Sequence, residues 1–310
     1  FRKYSMFEAN KYLIVIVGPT AVGKTALSIQ IAKKYKTSIL SADSRQIYKE
    51  LSIGTAKASK EEQDGVPHFF VDQLSIEEPF NAGMFEREGL EILDTLYKKT
   101  NVVVLCGGTG LYVKALLEGM DELPETDLVL RSTLNQEFES RGLEAMQSEL
   151  KQIDLETYNT IDLQNPLRVF RAIEVYRQLG IPLSVLKTGE KKQRPFKVIK
   201  IGLTMDRDAL YARIDTRMDL MLKQGLEAEA EQYIQYKHLN ALQTVGYSEV
   251  YGFLNGAFDR EEMIRLLKRN SRRYAKRQLT WFTRDTEIQW FHPESRSNIL
   301  DFIELQMKKE

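Results

Sequence analysis

The sequence predicts an α/β fold in which a parallel sheet is flanked by helices and interrupted by an all-helical domain. In the first third of the chain, short apolar runs rich in β-branched residues alternate with amphipathic helical patterns, as in parallel sheets. Between residues 121 and 187 no strand pattern occurs, and helical stretches follow one another. We therefore expect a core of residues 11–118 and 190–310 with a helical C-terminal part, and a helical insertion of residues 119–189.

The first strand leads into a glycine-rich turn. Residues 12–17 (YLIVIV) read as a buried strand, and the next eight, GPTAVGKT, fit the phosphate-loop pattern G-x-x-x-x-G-K-[ST]. A helical apolar pattern then runs to about Lys34. In this setting backbone N–H groups and the helix N-terminus bind a phosphate group, Lys24 adds a charge, and the Thr25 hydroxyl can ligate Mg²⁺. The fold class is therefore a sheet like that of the P-loop NTPases.

Two further strands end in polar or glycine-rich segments. Residues 38–40 lead into Asp43, and residues 102–105 lead into CGGTG, with Thr109, before a helix over 111–117. Because the carboxyl ends of parallel strands meet at one edge of a sheet, we expect Asp43 and Thr109 beside the phosphate loop.

The later elements are helical apart from one returning strand. Helical patterns cover residues 128–139 and 166–179, and a strand is predicted over 197–204. Asp206 is placed to cap a helix through Lys223, and residues 226–282 are largely helical.

Composition excludes several classes of protein. The 310 residues contain 44 Lys plus Arg and 44 Asp plus Glu, so the net charge indicates neither a nucleic-acid binder nor a membrane-surface protein. The single cysteine, Cys106, excludes an intrachain disulfide and a cysteine-rich zinc site and favours a reducing, cytosolic setting. No apolar run reaches the length of a membrane span, and the first residues lack the apolar core of a secretory signal.

Asp43 and Thr109 each have two interpretations. A nucleotide hydrolase with a phosphate loop carries an acidic Mg²⁺ ligand after a second strand, but VVVLCGGTG ends in glycines. Asp43 is either a cap of the following turn or helix, or a general base beside the phosphate site. The GGTG turn either binds a phosphate or bridging oxygen through Thr109, or only allows close packing of the backbone.

One segment has a strong local charge. Residues 260–284 contain nine Lys or Arg and two Glu, a local net of plus seven. Six of the basic residues, from Lys268 to Arg277, recur in pairs every four residues and interleave with Tyr274 and Trp281. This pattern is typical of a track for a nucleic-acid backbone, and the alternative is a solvated helix face over an apolar one.

Several segments resemble one enzyme family when they are taken in order. They are GPTAVGKT, SADSRQIYKELSIGTAK, VPHFFVD, CGGTGLYVKALL, NPLRVFRAIEVY, TVGYSE and RRYAKRQLTWF. Together they span roughly residues 13–282 and resemble the tRNA dimethylallyltransferases, also called tRNA isopentenyltransferases, of bacterial type. The resemblance implies transfer of a dimethylallyl group from dimethylallyl diphosphate to the exocyclic amine of the adenosine 3′ of the anticodon, with release of diphosphate.

The resemblance implies a catalytic role for Asp43 as general base, together with Thr109 and Arg217. Arg213 and Arg217 lie four apart on one helix face, and the sequence leaves open which of them contacts the diphosphate. Mg²⁺ is the expected cofactor, with Thr25 as its ligand. The expected diphosphate-binding residues are Gly18, Pro19, Thr20, Ala21, Val22, Gly23, Lys24, Thr25 and Arg213.

The resemblance also implies a tRNA surface, because the target adenosine must swing out of its stack to be modified. The expected partners are tRNA and dimethylallyl diphosphate, and we expect a cytoplasmic monomer with no protein partner and no membrane contact. The expected tRNA-binding residues are Asp43, Ser44, Arg45, Gln46, Arg131, Gln164, Asn165, Pro166, Leu167, Arg168, Gln243, Gly246, Tyr247, Arg269, Arg272, Arg273 and Lys276.

Two other functions use some of the same features. A small-molecule or nucleotide kinase shares the phosphate loop and the sheet but has no need of a helical insertion or a basic C-terminal helix. An RNA-binding module without catalysis needs the basic helix but not an intact phosphate site or Asp43.

Overall fold

The sheet of the computed structural model, which describes residues 11–308, is parallel throughout. It confirms the predicted fold class: six strands lie in the order β3-β2-β4-β1-β5-β6. The predicted lack of a secretory signal falls on residues 1–10, which lie outside the described range. The strands are β1 Tyr12–Val17, β2 Ile39–Ser41, β3 His68–Phe69, β4 Val102–Gly107, β5 Lys197–Leu203 and β6 Gln289–Phe291.

Helices of the larger compact unit pack against this sheet. The unit comprises the described residues before Glu118 and after Lys192. One buried cluster joins the central strands to α1, α9, α12 and α13 through residues such as Ile14, Ile31, Ile214 and Ile299. The helices are α1 Lys24–Lys34, α2 Lys60–Gln63, α3 Ala82–Leu96, α4 Gly110–Glu118, α9 Arg207–Gln224, α10 Leu226–Gln232, α11 Tyr247–Leu254, α12 Arg260–Phe282 and α13 Arg296–Lys308.

The smaller compact unit, Glu118–Lys192, contains helices as its regular elements. Its own buried cluster includes Leu134, Met146, Phe170 and Ile173. The helix predicted over 128–139 corresponds to the first part of α5, which is divided by a kink at Gly142, a non-helical residue at φ 76°. The helices are α5 Leu128–Ile153, α6 Leu155–Thr160, α7 Pro166–Leu179 and α8 Leu183–Leu186.

Local sequence signals account for several helix boundaries. Asn165 caps α7 through its side chain, Pro166 occupies the first turn, and Gly180 ends the helix at φ 68°. Asp206 caps α9 by accepting from two backbone N–H groups, as the sequence predicted. No helix within residues 11–308 is both long and apolar enough to cross a membrane.

Candidate active site

A cavity of about 500 Å³ lies in the larger unit at the carboxyl ends of the strands. This is where a doubly wound sheet binds ligands. Its walls combine the phosphate loop (residues 18–25), the turn after β2, the GGTG turn (residues 107–110), two arginines of α9, the loop before α11 and the inner face of α12. Lining residues include Thr20, Lys24, Thr25, Asp43, Gly108, Arg213, Arg217, Gly246, Tyr274 and Gln278.

The backbone of the phosphate loop requires glycine at its start. Gly18 has φ 146°, and a Cβ there would lie 2.6 Å from the carbonyl oxygen of Leu203 on β5. Lys24 folds back along the loop, and its Nζ donates hydrogen bonds to the carbonyls of Gly18 and Pro19, at 2.9 and 2.7 Å. The lysine ammonium therefore lies where the backbone N–H groups of the loop and the N-terminus of α1 also favour the binding of an anion.

Three cationic side chains converge on this cavity. Burial, opposed by Cys106 and Asp43 and aided by the charge of Arg217, lowers the pKa of Lys24 to about 8. Burial and then the charge of Arg213 lower the pKa of Arg217. Within residues 11–308, neither arginine forms a hydrogen bond or close ion pair with a carboxylate. Three cations held together in one cavity favour the binding of a polyanion, although Asp43 and Glu62 in the lining offset part of their charge.

Only one carboxylate oxygen of Asp43 caps the backbone of the following turn. Its Oδ1 accepts from the backbone N–H groups of Arg45 and Gln46, at 2.9 and 3.3 Å, in a turn that does not continue into a helix. Among the described residues, none donates a hydrogen bond to the other oxygen, Oδ2. The side chain is thus both capped and available, so the two interpretations of Asp43 are compatible.

Thr109 connects the GGTG turn to the Asp43 turn. Its backbone N–H donates to the carbonyl of Ala42 at 3.0 Å, and its Oγ1 accepts from the backbone N–H of Ser44 at 3.0 Å. Gly107 packs against the same Ala42 carbonyl so closely that any Cβ would overlap it. Close packing of the backbone and a threonine hydroxyl bonded to the Asp43 turn therefore occur together in the GGTG turn.

A buried amide that sequence analysis did not single out joins the two phosphate-side turns. Gln278 of α12 is 6% exposed. Its Oε1 accepts from the backbone N–H of Thr20 at 2.8 Å, and its Nε2 donates to the carbonyl of Gly108 at 3.0 Å. The only sequence signal for a role of Gln278 was its place within the motif RRYAKRQLTWF. Without that motif, a glutamine on a basic helix would be predicted to be exposed to solvent.

The structure gives Tyr247 a role different from the expected contact with tRNA. Its side chain is 0% exposed, and its hydroxyl donates to Glu229 Oε1 at 2.6 Å. Glu229 also accepts from three backbone N–H groups of residues 52–54, at 2.8–3.0 Å. The buried phenol thus stabilises the carboxylate that fixes the SIGT loop of the cavity wall, and it offers no surface to RNA.

The neighbouring residues of the expected tRNA set remain at or near the cavity. Gly246, at φ 106°, lines the cavity, and its N–H donates to the Glu249 carboxylate at 2.7 Å. Gln243 is exposed. Arg45 and Gln46 also line the cavity, but the amide of Gln46 is held within the protein by Ser41 and Thr55.

The basic residues of α12 form two rows with different surroundings. Lys268 and Arg272 turn toward α9, where they pair with Asp219 at 2.7 Å and Asp215 at 2.6 Å. The expected tRNA contact of Arg272 would have to compete with that pair. The members of the second set are exposed or half-buried, and we call them the basic face: Arg269, Arg273, Lys276 and Arg277.

In the smaller unit, the expected tRNA residues divide into a buried and an exposed group. The guanidinium of Arg131 pairs with Glu174, whose side chain is 0% exposed, so this arginine neutralises a buried carboxylate. Around the start of α7, Gln164, Leu167 and Arg168 are exposed, and Leu167 is 65% exposed. The side chain of Asn165 accepts from the N–H of Arg168 as the helix cap.

Comparison with known proteins identifies the family. The family model of the IPP transferases matches residues 46–285. A tRNA dimethylallyltransferase of Cytophaga hutchinsonii is 69% identical over 97% of this chain and 99% of its own length. A tRNA dimethylallyltransferase of Bacteroides thetaiotaomicron is 45% identical over 95% of this chain and 96% of its own.

Solved structures agree with the sequence relatives. The full-length tRNA isopentenylpyrophosphate transferase of Bacillus halodurans superposes with a TM-score of 0.72 at 36% identity, covering 96% of this chain and 97% of that one. A eukaryotic dimethylallyltransferase acting on tRNA superposes with a TM-score of 0.71 at 27% identity, covering 87% of this chain and 69% of that one. The resemblance that the sequence motifs indicated is confirmed, and the chain belongs to the IPP transferase family.

Proposed function

We propose that this protein transfers the dimethylallyl group of dimethylallyl diphosphate to the exocyclic amine of the adenosine 3′ of a tRNA anticodon. The observation that carries the proposal is the single cavity that contains both a cationic phosphate site, with Lys24 and Arg217, and a carboxylate, Asp43, with an available oxygen. The names of the relatives, tRNA dimethylallyltransferases in the bacteria compared, support the same reaction.

The donor binds through its diphosphate. The phosphate loop contributes backbone N–H groups and the N-terminus of α1, and Lys24 exchanges its bonds to the loop carbonyls for phosphate oxygens. Arg213 and Arg217 approach from α9, where their charges need an anion. The same cations stabilise the charge that builds on the leaving diphosphate as the bond to carbon breaks.

The acceptor amine reacts beside Asp43. Its nitrogen forms a bond to the first carbon of the dimethylallyl group, the bond from that carbon to oxygen breaks, and the electron pair leaves with the diphosphate. Asp43 Oδ2 takes the proton that the amine loses, while the N–H groups of Arg45 and Gln46 hold Oδ1. Thr109 donates its hydroxyl hydrogen to the oxygen that bridges the leaving group, in exchange for its long bond to Ser44 Oγ at 3.5 Å, while its oxygen keeps the bond from the Ser44 N–H.

The donor set also fits Mg²⁺. Thr25 is exposed at the start of α1, and its hydroxyl is a hard oxygen ligand that would hold the ion together with diphosphate oxygens and water. Among residues 11–308, no cluster of three His, Cys, Asp or Glu side chains could hold a metal ion without substrate. When bound, Mg²⁺ would supply charge stabilisation to the departing diphosphate.

The tRNA is recognised by two kinds of surface. The basic face of α12 binds backbone phosphates, and the exposed residues Gln164, Leu167 and Arg168 contact the RNA from the smaller unit. The flipped adenosine enters the cavity between the Asp43 turn and the loop that ends at Gly246. We propose that the protein acts as a monomer.

One experiment separates this function from its alternatives. The protein is incubated with labelled dimethylallyl diphosphate or with ATP labelled on its terminal phosphate, each with and without bulk tRNA. We expect label from the first donor in tRNA and no consumption of ATP. Stoichiometric release of ADP would favour a kinase, and binding of tRNA with no transfer from either donor would favour an RNA-binding module.

A further inference from the structure

We propose that Gln278 is a positioning residue that sets the separation between the phosphate loop and the GGTG turn. Its side chain forms hydrogen bonds with the backbone of both turns. Oε1 accepts from the Thr20 N–H at 2.8 Å, and Nε2 donates to the Gly108 carbonyl at 3.0 Å. The inference rests on the proposed function, because the phosphate loop holds the leaving group and the GGTG turn is joined through Thr109 to the Asp43 turn, where the acceptor amine reacts.

The amide is suited to this task because it donates and accepts at fixed positions. A glutamine presents an N–H₂ and a C=O in one plane, so the two backbone groups are held at a distance set by a rigid unit. Gly108 itself has no side chain that could make this connection. Any Cβ on Gly108 would overlap Nε2 of Gln278, so the glycine and the glutamine fit each other.

The position of Gln278 on its helix links it to the rest of the site. On the same face of α12, Tyr274 and Ser271 also line the cavity, and Arg272 one row away is paired with Asp215 of α9. The helix that carries Gln278 is therefore fixed against the helix that carries Arg213 and Arg217. Pairing of β1 with β4 already fixes the first residues of the two turns, with Val17 opposite Gly107, and the amide extends that fixed spacing to Thr20 and Gly108.

A loss of this restraint predicts a specific kinetic pattern. Each turn still binds its own group, so the affinity for inorganic diphosphate stays within about threefold of the parent. The reacting atoms are no longer held at one distance, and a misplacement of about 1 Å costs up to about a hundredfold in rate. Gln278→Met, which keeps the length and removes both hydrogen bonds, should lower the single-turnover rate of prenyl transfer by about 10- to 100-fold.

A second variant tests the hydrogen bond rather than the packing. Gln278→Glu keeps the acceptor for the Thr20 N–H, but the ionised carboxylate cannot donate to the Gly108 carbonyl. Protonation restores an O–H donor, and burial raises the pKa of a carboxyl into a range that can be titrated. The rate of Gln278→Glu divided by that of the parent should therefore rise as pH falls, whereas the same ratio for Gln278→Met stays flat.

The experiment measures single-turnover transfer to tRNA, diphosphate affinity and thermal stability for the parent and three variants. Gln178→Met is the matched control, because Gln178 also bonds a distant backbone carbonyl, that of Glu125 at 3.1 Å, but does so in the smaller unit. Transfer by Gln278→Met within twofold of the parent, or a flat pH ratio for Gln278→Glu, would overturn the inference. Failure of the parent itself to transfer a prenyl group would instead refute the proposed function.

Discussion

The hydroxyl oxygen of Thr109 accepts a hydrogen bond from the backbone N–H of Ser44, with 3.0 Å between Oγ1 and N. This bond orients the side chain between the GGTG turn and the Asp43 turn. The hydroxyl hydrogen is directed at Ser44 Oγ, 3.5 Å away, which is a long bond that a ligand in the cavity can replace. The threonine therefore connects the two turns, and the proposed function gives it the further role of donor to the substrate.

Replacing Thr109 tests whether its hydroxyl contributes to the reaction. Thr109→Val removes the donor and the acceptor with little change of volume, and we expect the single-turnover rate to fall by about 10²–10³-fold, as for the loss of one donor to a developing oxyanion. Thr109→Ser keeps the hydroxyl and should retain most of the rate. Equal rates for the two variants would show that the hydroxyl is not part of the reaction.

Asp43 can be tested as a base while its capping role is kept. Asp43→Asn retains a side-chain oxygen that can accept from the N–H groups of Arg45 and Gln46 but cannot take a proton. We expect the chemical rate to fall by about two to four powers of ten, with tRNA affinity within a few-fold of the parent. A near-normal single-turnover rate would leave Asp43 as a cap alone.

The lowered pKa of Lys24 predicts how diphosphate binding depends on pH. Lys24 is charged below its pKa of about 8 in the free protein and loses its proton as pH rises through that value. Above pH 8, binding of inorganic diphosphate must then take up a proton, so affinity should fall by up to about tenfold per pH unit. Calorimetric titration measures this fall.

Lys24→Arg is the control for ionisation of the ligand itself. Arginine keeps its charge throughout the accessible pH range, so the variant reports only the changing charge of the diphosphate. The affinity of the parent divided by that of Lys24→Arg should be constant below pH 8 and decline above it. A ratio that is constant up to pH 10 would mean that Lys24 does not titrate in the free site.

The elements that carry local signals were predictable from the sequence. Three elements lie where the sequence predicted them: strand β1, the helix after the phosphate loop and helix α7. Their bounds follow from the spacing of apolar residues and from the glycine and capping residues at their ends. The short strand β6 was not predicted, because a three-residue strand has no period to detect, and the C-terminal helix α13 was not predicted either.

The contacts of the site were less predictable than its residues. The sequence indicated that Asp43 and Thr109 would lie beside the phosphate loop, since all follow parallel strands. It did not indicate Gln278, whose partners are backbone groups 170 and 258 residues away. Nor did it show that Tyr247 is buried on Glu229, because side-chain pairing between distant segments leaves no local pattern.

The two rows of basic residues on α12 allow a matched test of the tRNA surface. Arg273→Gln with Lys276→Gln removes two exposed charges, whereas Lys268→Gln with Arg272→Gln removes two charges that are paired with carboxylates of α9. Both double variants have the same net charge. We call these the exposed double variant and the paired double variant. Phosphate contacts release counterions, so the exposed double variant should bind tRNA more weakly. Its plot of log affinity against log salt concentration should be less steep by about 1.5–2 units if both residues reach phosphates.

The paired double variant should behave differently. Its side chains already have counter-charges, so the salt slope should stay within about half a unit of the parent, while loss of the contacts between α12 and α9 should lower the melting temperature. At saturating tRNA, the exposed double variant should recover most of the turnover, because its residues hold the substrate and take no part in the chemistry. If the two double variants flatten the slope equally, the response reflects net charge rather than contact. If neither does, the basic face only keeps the helix solvated, and the tRNA is held by the cavity and the exposed start of α7.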